Sequence, residues 1–317
     1  MAQERTTQRL TWLGYGACAM AGSLWGTGFF FGKLALREMS VGHMVLYRFL
    51  FASLGTLPII LQARREPGAR GWKSWTRREQ GILLLSAALG IPIQFLLQFE
   101  GLARTTVSHA SLMVGTMPVL LALGATLFAG ERLDWVGWLA LTGSTAGAAL
   151  IVLGGHEAGV PGVAPSLAGD LLVVLSLTIA LGWILMNKSL MATRGPLAVT
   201  ACGILAGTAM LAVWVIAVDG PPPVARVSLT AWLALAASGV LCTATTTLLW
   251  NWGIHHVPAS RAGVFLNIEP ALGSILGVEL LGDKLGPFAW VGGGLILAAA
   301  ITLTIRGHEF NPEVLLE

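Results

Sequence analysis

Apolar residues along this chain come in runs of about twenty, long enough to cross a hydrocarbon core of roughly 30 Å. Ten such runs lie near residues 12–32, 41–61, 80–99, 106–129, 133–153, 168–187, 197–218, 229–250, 259–281 and 286–306. No connection between them is long enough to hold a soluble domain. The longest are 62–79, which is basic, and 154–167, which is rich in Gly and Pro and has neither Lys nor Arg. The pattern predicts an all-α integral membrane protein with ten transmembrane helices. Arg5 and Arg9 precede the first run as they would in a signal peptide, but the run is too long and further spans follow it.

A repeat runs through these spans at a constant offset of 152 residues. Pro118, Gly130-Glu131-Arg132-Leu133 and Trp138 recur as Pro270, Gly282-Asp283-Lys284-Leu285 and Trp290, and Gly101/Gly253, Ser108/Ser260 and Ala110/Ala262 keep the same register. Repeated sets of hydrophobic helices mark secondary transporters. Five spans per copy is an odd number, so the second copy must enter the membrane upside down. The expected division is residues 1–153 for the first five-helix repeat, 154–307 for the second, inverted one, and a polar tail from 308 to 317. Two such halves related by a pseudo-two-fold axis predict alternating access around a midplane pocket.

Composition agrees with lipid as the solvent. Charged residues make up 11% of the chain, against about 25% in soluble domains, and the mean hydropathy is +0.75. With both termini cytoplasmic, thirteen Lys and Arg fall on inside segments and five on outside ones, while Arg48 lies within a span. This orientation suits a bacterial-type inner membrane. Trp12, Trp72, Trp75 and Trp135 sit at predicted span ends, where indole rings anchor at the interface. Cys18, Cys202 and Cys242 fall in apolar stretches with no close pair, which argues against a disulfide framework or a zinc site. The basic run from Arg64 to Arg78 reads as an interfacial loop touching anionic lipid rather than nucleic acid.

Ionisable groups within a bilayer cost on the order of 2.5–3.5 kcal/mol each, so those that remain need a partner or a wet cavity. Glu269 is the sharpest case: it is placed about ten residues into the ninth span, and its counterpart in the first copy is Met117. It suits a substrate ammonium, or a proton that couples transport to a gradient. Pro118 and Pro270 each remove a backbone donor at matching positions and read as hinges. Lys33, Arg48, Glu100 and Glu279 are expected at similar depth with charges summing to zero, the makings of a gate. Polar and aromatic residues at middle depth complete a substrate pocket: Trp25, Gln94, Gln98, His109, Ser111, Trp183, Asn187, Thr246, Trp250 and Asn267. Gln94 and Gln98, like Trp183 and Asn187, share a helix face. For each of these the competing reading is an interhelical hydrogen bond. Gly143/Gly147 and Gly273/Gly277 are small-xxx-small pairs serving helix packing or dimerisation, so the chain is a monomer or a homodimer. His255-His256 lacks a companion ligand for a metal, and the six histidines are scattered with no acid–base pair.

Leu24-Trp25-Gly26 with Lys33, Tyr47-Arg48-Phe49, Asp170, Glu269-Pro270 and the two Gly-acid-base-Leu caps together resemble the EamA family of the drug/metabolite transporter superfamily. The resemblance covers roughly residues 12 to 306. It implies ten helices in two inverted five-helix repeats, no covalent cofactor, and movement of small metabolites, often outward. Members include exporters of amino acids and their derivatives. By this resemblance the fourth and ninth helices, with the third and eighth, surround the central cavity. The reading is a secondary transporter, not an enzyme, that moves an amino acid, amine or amphipathic cation, with proton coupling open to Glu269. The alternative is a membrane channel, or an enzyme without a recognisable catalytic motif. A channel would want rings of like residues, and an enzyme clustered histidine and carboxylate groups.

Overall fold

A computed structural model describes residues 2–58, 74–117, 119–120, 123–124, 135–154, 166–225, 227–256 and 263–306. All regular structure among them is helical. α1 (Ala2–Gly26) stops at Thr27, whose hydroxyl donates to the Leu24 carbonyl at 2.7 Å, and α2 (Gly28–Ala35) resumes at once. Ser40 caps α3 (Val41–Gly55) by accepting the His43 N–H. Thr76 opens α4 (Arg77–Ala88) with a capping box, its hydroxyl accepting the Glu79 N–H while the Glu79 carboxylate accepts its own N–H. α4 continues through a π-helical segment, Leu89–Ile93, into α5 (Gln94–Arg104). Thr106 caps α6 (Val107–Val114). There follow α7 (Trp135–Gly154), α8 (Leu167–Arg194) and α9 (Pro196–Val218), which has proline at its first position, where no donor is needed. Ser228 caps α10 (Leu229–Ala236), which passes through a second π segment, Ala237–Thr245, into α11 (Thr246–His256). A 3₁₀ segment, Gly263–Asn267, precedes α12 (Ile268–Leu281), and α13 (Pro287–Arg306) is the last described helix.

Among the described residues three of the ten expected spans are not continuous as helices, and two more, the third and eighth, are continuous but pass through π segments. The first breaks at Thr27. The fourth leaves the α-helix after Val114, where Gly115 and Thr116 donate to Leu112 and Met113 in tighter three-residue turns. The ninth begins as 3₁₀ and becomes α-helical only at Ile268. Among the described residues four helices are therefore unbroken and apolar enough to cross a bilayer: Arg77–Arg104, Leu167–Met191, Leu197–Val218 and Leu229–Trp250. Val41–Gly55, Trp135–Ile151 and Pro287–Thr302 are shorter apolar helices. The π segments carry the repeat: shifted by 152 residues, Leu89–Ile93 falls on 241–245, inside the second one.

The chain clusters into two compact units, each drawing helices from both halves of the sequence. The first comprises Met1–Phe30, Gly101–Val174 and Thr246–Glu317. Here α7 packs along α13, and Gly147 and Gly292 meet reciprocally: a Cβ on either would lie 2.5 Å from the carbonyl oxygen of the other. Under the repeat this pair maps onto Ala140 and Ala299, which are buried in one cluster with Val119. Gly147 thus serves packing inside one chain. Gly143, the other member of its pair, has open space where a side chain would project. Gly273 and Gly277 let α12 approach Ser111 and Ser108 of α6, and Ser108 and Ser274 exchange hydroxyl-to-carbonyl hydrogen bonds there. At the end of α12, Gly282 is left-handed (φ 72°), a conformation that favours glycine. The next residue, Asp283, accepts the Ser108 N–H at 2.9 Å.

The second unit comprises Phe31–Glu100 and Leu175–Thr245. One end is held by Arg194, whose guanidinium grips both Glu79 oxygens at 2.7 and 2.6 Å, donates to the Ser74 carbonyl and lies over the Trp75 ring. The forked contact with Glu79 raises the Arg194 pKa further. Trp75 was expected at the lipid interface, but it is 6% exposed and packs with Leu83, Leu190 and Val199. The cation above its ring turns it inward, whereas Trp12 and Trp135 are each 69% exposed. Trp72 lies outside the described residues, as does the polar tail 308–317. Elsewhere in this unit Glu38, Ser40, His43 and Tyr47 bind Ser228, Asp219, Gly220 and Pro223. The Ser228 hydroxyl and N–H, at 2.5 and 2.7 Å, hold the Glu38 carboxyl below its ordinary pKa.

Two outcomes follow for stability. Gly147→Val forces a side chain into a backbone carbonyl and should lower the thermal midpoint in detergent, by the roughly 1–3 kcal/mol typical of overpacking. Gly143→Val on the same helix should leave it unchanged. Glu38 accepts from Ser228 on both oxygens, which the ionised carboxylate does best, and its folded pKa is depressed. Its contribution is therefore present above about pH 4 and is lost on acidification through the folded value. Hydrogen exchange at the Ser228 amide should speed up on acidification relative to amides elsewhere, and Glu38→Gln should abolish that difference.

Candidate functional site

In the first unit the break between Gly263–Asn267 and α12 decides where the chemistry sits. Glu269 was expected deep inside a continuous helix; it lies instead in the first turn of α12. A carboxylate there complements the positive end of the helix dipole. Pro270 follows it in the same turn, where a missing N–H breaks no intrahelical bond, so the interruption comes before the proline rather than at it. Pro118 lies outside the described residues. Gly26 at the end of α1 packs on this turn: a Cβ there would sit 3.0 Å from the Glu269 carbonyl oxygen. That contact brings the neighbouring Trp25 to the start of α12, and Trp25 meets Trp250 of α11 with ring centroids 5.5 Å apart and planes tilted by 55°. Asn267, buried, ends the 3₁₀ segment beside them. Thr246, fully buried, starts α11 one turn before Trp250. Glu269 and Asn267 at the start of α12, and Trp25 and Trp250 where α1 meets α11, thus belong to one unit and are linked through the Gly26–Glu269 backbone contact. Ser111 is fully buried against Gly273 of α12, and its hydroxyl has no hydrogen-bond partner among the described residues.

The second unit holds the other pocket candidates. Arg48 is 5% exposed; its guanidinium carbon lies 5.0 and 5.2 Å from the Phe95 and Phe99 ring centroids, and its Nε donates to Thr243 at 3.1 Å. Two aromatic faces and a hydroxyl make a site for a buried cation. Gln94 and Gln98, both buried, share α5 with these rings, and Gln94 Oε1 has no hydrogen-bond partner among the described residues. Asn187 accepts a hydrogen bond from Ser86 at 3.0 Å, which is the interhelical role. Trp183 packs against Gly90 in the first π segment, where a Cβ would overlap its indole. Of the four gate residues, Lys33, Arg48 and Glu100 belong to this unit, whereas Glu279 is exposed and belongs to the other.

One constellation escaped the sequence reading. Asp170, in the first turn of α8, accepts the Thr105 hydroxyl on Oδ1 at 2.6 Å, and its Oδ2 faces His109 Nδ1 at 3.5 Å. All three side chains are buried. The histidines therefore do include an acid–base pair, joined across 61 residues of sequence. Thr105, just before the Thr106 cap, and His109, in the first turn of α6, both reach Asp170; an acid at the start of an apolar span was the signal that a partner existed. Among the described residues no group of three or more His, Cys, Asp or Glu side chains is placed to hold a metal.

Comparison with known proteins fixes the family. A transporter from Archaeoglobus fulgidus, described as uncharacterized, is 22% identical over 293 residues, covering 90% of this chain and 95% of its own length. A protein from Streptantibioticus cattleyicolor named a "Probable terminal-alkyne amino-acid exporter" is 26% identical over 287 residues, 89% of this chain and 90% of its own. A protein solved by crystallography superposes with a TM-score of 0.62 over 94% of this chain and 97% of its own, at 19% identity, and so shares the fold. The profile of the EamA-like transporter family matches residues 12–153 and 167–305. A broken-helix, two-repeat membrane protein matched by that profile in both halves belongs to the EamA-like transporter family.

Proposed function

We propose that this transporter is a secondary exporter of an amino acid or another ammonium-bearing metabolite, working by alternating access in a bacterial-type inner membrane with both termini cytoplasmic. The observation that carries the substrate class is the broken start of α12, where the Glu269 backbone meets the end of α1 that bears Trp25, itself packed on Trp250. In this reading the Glu269 carboxylate attracts a cationic nitrogen by charge and the indole faces of Trp25 and Trp250 attract it by their ring quadrupole. The apolar ring surface accepts the rest of an amphipathic solute. Interrupted helices bearing the substrate site at mid-depth are the recurring device of secondary transporters. The name of the Streptantibioticus relative supports an amino acid and the outward direction. In this reading Glu269 stays charged and holds the substrate rather than carrying a coupling proton.

Thermal unfolding of the detergent-purified chain, measured against a panel of amino acids, primary amines and quaternary ammonium ions, tests it. A ligand at one hundred times its Kd adds about 2.7 kcal/mol to the folded state. A stabilising amino acid or amine should lose that effect in Glu269→Gln and most of it in Trp250→Ala. It should also exchange in counterflow across proteoliposomes. A shift that Glu269→Gln leaves intact would refute the assignment of the site.

A further inference from the structure

We infer that Gln94 and Gln98 form, within the second unit, a subsite that binds an uncharged carboxamide group of the transported solute. Two contacts place these side chains. Ser86 of α4 donates to Asn187 Oδ1 of α8 at 3.0 Å, and one turn on, a Cβ on Gly90 would overlap the Trp183 indole. Residues four apart share one side of a helix, in the wider π turn as in the α turn. The side of α4 and α5 that carries Ser86 and Gly90 therefore carries Gln94 and Gln98. Ser86 meets Asn187 and Gly90 meets Trp183, so α8 runs antiparallel here, and the same register sets the glutamines opposite the stretch from Ser176 to Ala180. Ser176 and Ala180 are both small and buried.

This seam treats its amides differently. Asn187 is satisfied by Ser86. Gln94 is only 6% exposed, yet its Oε1 is buried with no hydrogen-bond partner among the described residues. Gln98, one turn away, is 8% exposed. A bare amide oxygen in a protein interior is costly, and it persists where water or a ligand completes it. The interhelical role expected of every polar residue in a span thus accounts for Asn187 and fails for Gln94. The π turn of Leu89–Ile93 sets the direction in which the glutamines point, and such turns gather at functional sites.

An amide both donates and accepts, and its partner in kind is another carboxamide, which gives one hydrogen bond and takes one in a closed pair. Every residue named on the two facing stripes is uncharged, and a buried ion with no counter-charge is expensive, so a neutral group fits where a carboxylate does not. Arg48 serves another side of α5. It stands over Phe95 and Phe99, each one residue on from a glutamine and so about 100° round the helix. Glu100, two residues after Gln98, is about 200° round. The subsite belongs to one copy of the repeat: shifted by 152 residues, Gln94 and Gln98 correspond to Thr246 and Trp250. Equivalent positions in the two copies thus carry polar or aromatic side chains of different chemistry. Nothing in this inference depends on Glu269.

Thermal unfolding of the full chain in detergent tests this twice. Without solute, Asn187→Leu breaks the bond from Ser86 and should lower the midpoint. Gln94→Leu removes an oxygen that no described group binds, and should leave the midpoint unchanged or raise it. With solute, L-glutamine, L-glutamate and L-methionine share one backbone and similar length, and differ at the end of the side chain. Half-maximal stabilisation should need about tenfold less glutamine than methionine, the worth of one to two net hydrogen bonds, and glutamate should do no better than methionine. Gln94→Leu and Gln98→Leu should erase the preference for glutamine and keep the response to methionine. Glu269→Gln should instead weaken all three amino acids alike, so the two assignments fail separately. Butanamide against butanoate repeats the comparison without an ammonium group and decides it if no amino acid binds. A Gln94→Leu midpoint as low as that of Asn187→Leu, or equal responses to amide and acid in the wild type, would overturn the inference.

Discussion

Peptide groups in hydrocarbon have no water to bind, so a chain inside a bilayer leaves the α-helix only where other donors and acceptors take over. The organisation of this protein follows from how it meets that constraint. At Thr27 a hydroxyl turns back onto a carbonyl; at Gly115 and Thr116 the hydrogen bonds shorten their reach by one residue. In the two π segments they lengthen it by one. At Gly263–Asn267 a 3₁₀ turn closes the gap before α12. Four of these departures adjoin candidate site residues: Trp25 precedes the first, Gln94 follows the first π segment, Thr246 follows the second, and Glu269 opens the helix after the last.

Much of this was legible in the sequence, at the level of which segments are apolar and how they repeat. The all-helical character, the two copies and the family follow from hydropathy and spacing, signals that depend on composition summed over twenty residues. Where the helices break did not follow. Gly26-Thr27 and Gly115-Thr116 look like ordinary apolar-helix sequence, and Pro270 pointed to an interruption at itself rather than ahead of it. A proline tolerated in a first turn and one that kinks a helix interior are the same letter; only the hydrogen bonds around it tell them apart. Trp75 was misplaced for a similar reason. Its position at a span end suggested the lipid interface, but Arg194, more than a hundred residues away, covers the ring.

The site residues divide along the same line. Trp25, Trp250, Asn267 and Glu269 were visible one at a time; folding stacks the two indoles and sets Gly26, next to Trp25, on the Glu269 backbone. Asp170 was visible only as a family mark, because its partners Thr105 and His109 come from another helix start and a polar residue does not announce its neighbour. The repeat sharpened what it could not supply. Glu269 against Met117 and Asp170 against Cys18 show that the two copies share a scaffold while their chemistry has diverged. The caps Gly130-Glu131-Arg132-Leu133 and Gly282-Asp283-Lys284-Leu285 repeat, charges included, whereas Glu269 and Asp170 have no charged counterpart.

The π segments carry a consequence of another kind. Successive residues of an α-helix are about 100° apart, so one extra residue in a turn rotates everything downstream by that angle relative to everything upstream. Gln94 and Gln98 ride on the rotated half of one helix, and Thr246 and Trp250 on the rotated half of the other. Losing Pro92 from the first segment, or one residue within Ala237–Thr245, would restore an α-helical turn with its backbone satisfied, and would aim a different stripe of side chains at the same place. Within this architecture the phase of a helix is therefore a variable separate from its sequence. A one-residue gap between two relatives could then change what they carry more than many substitutions would.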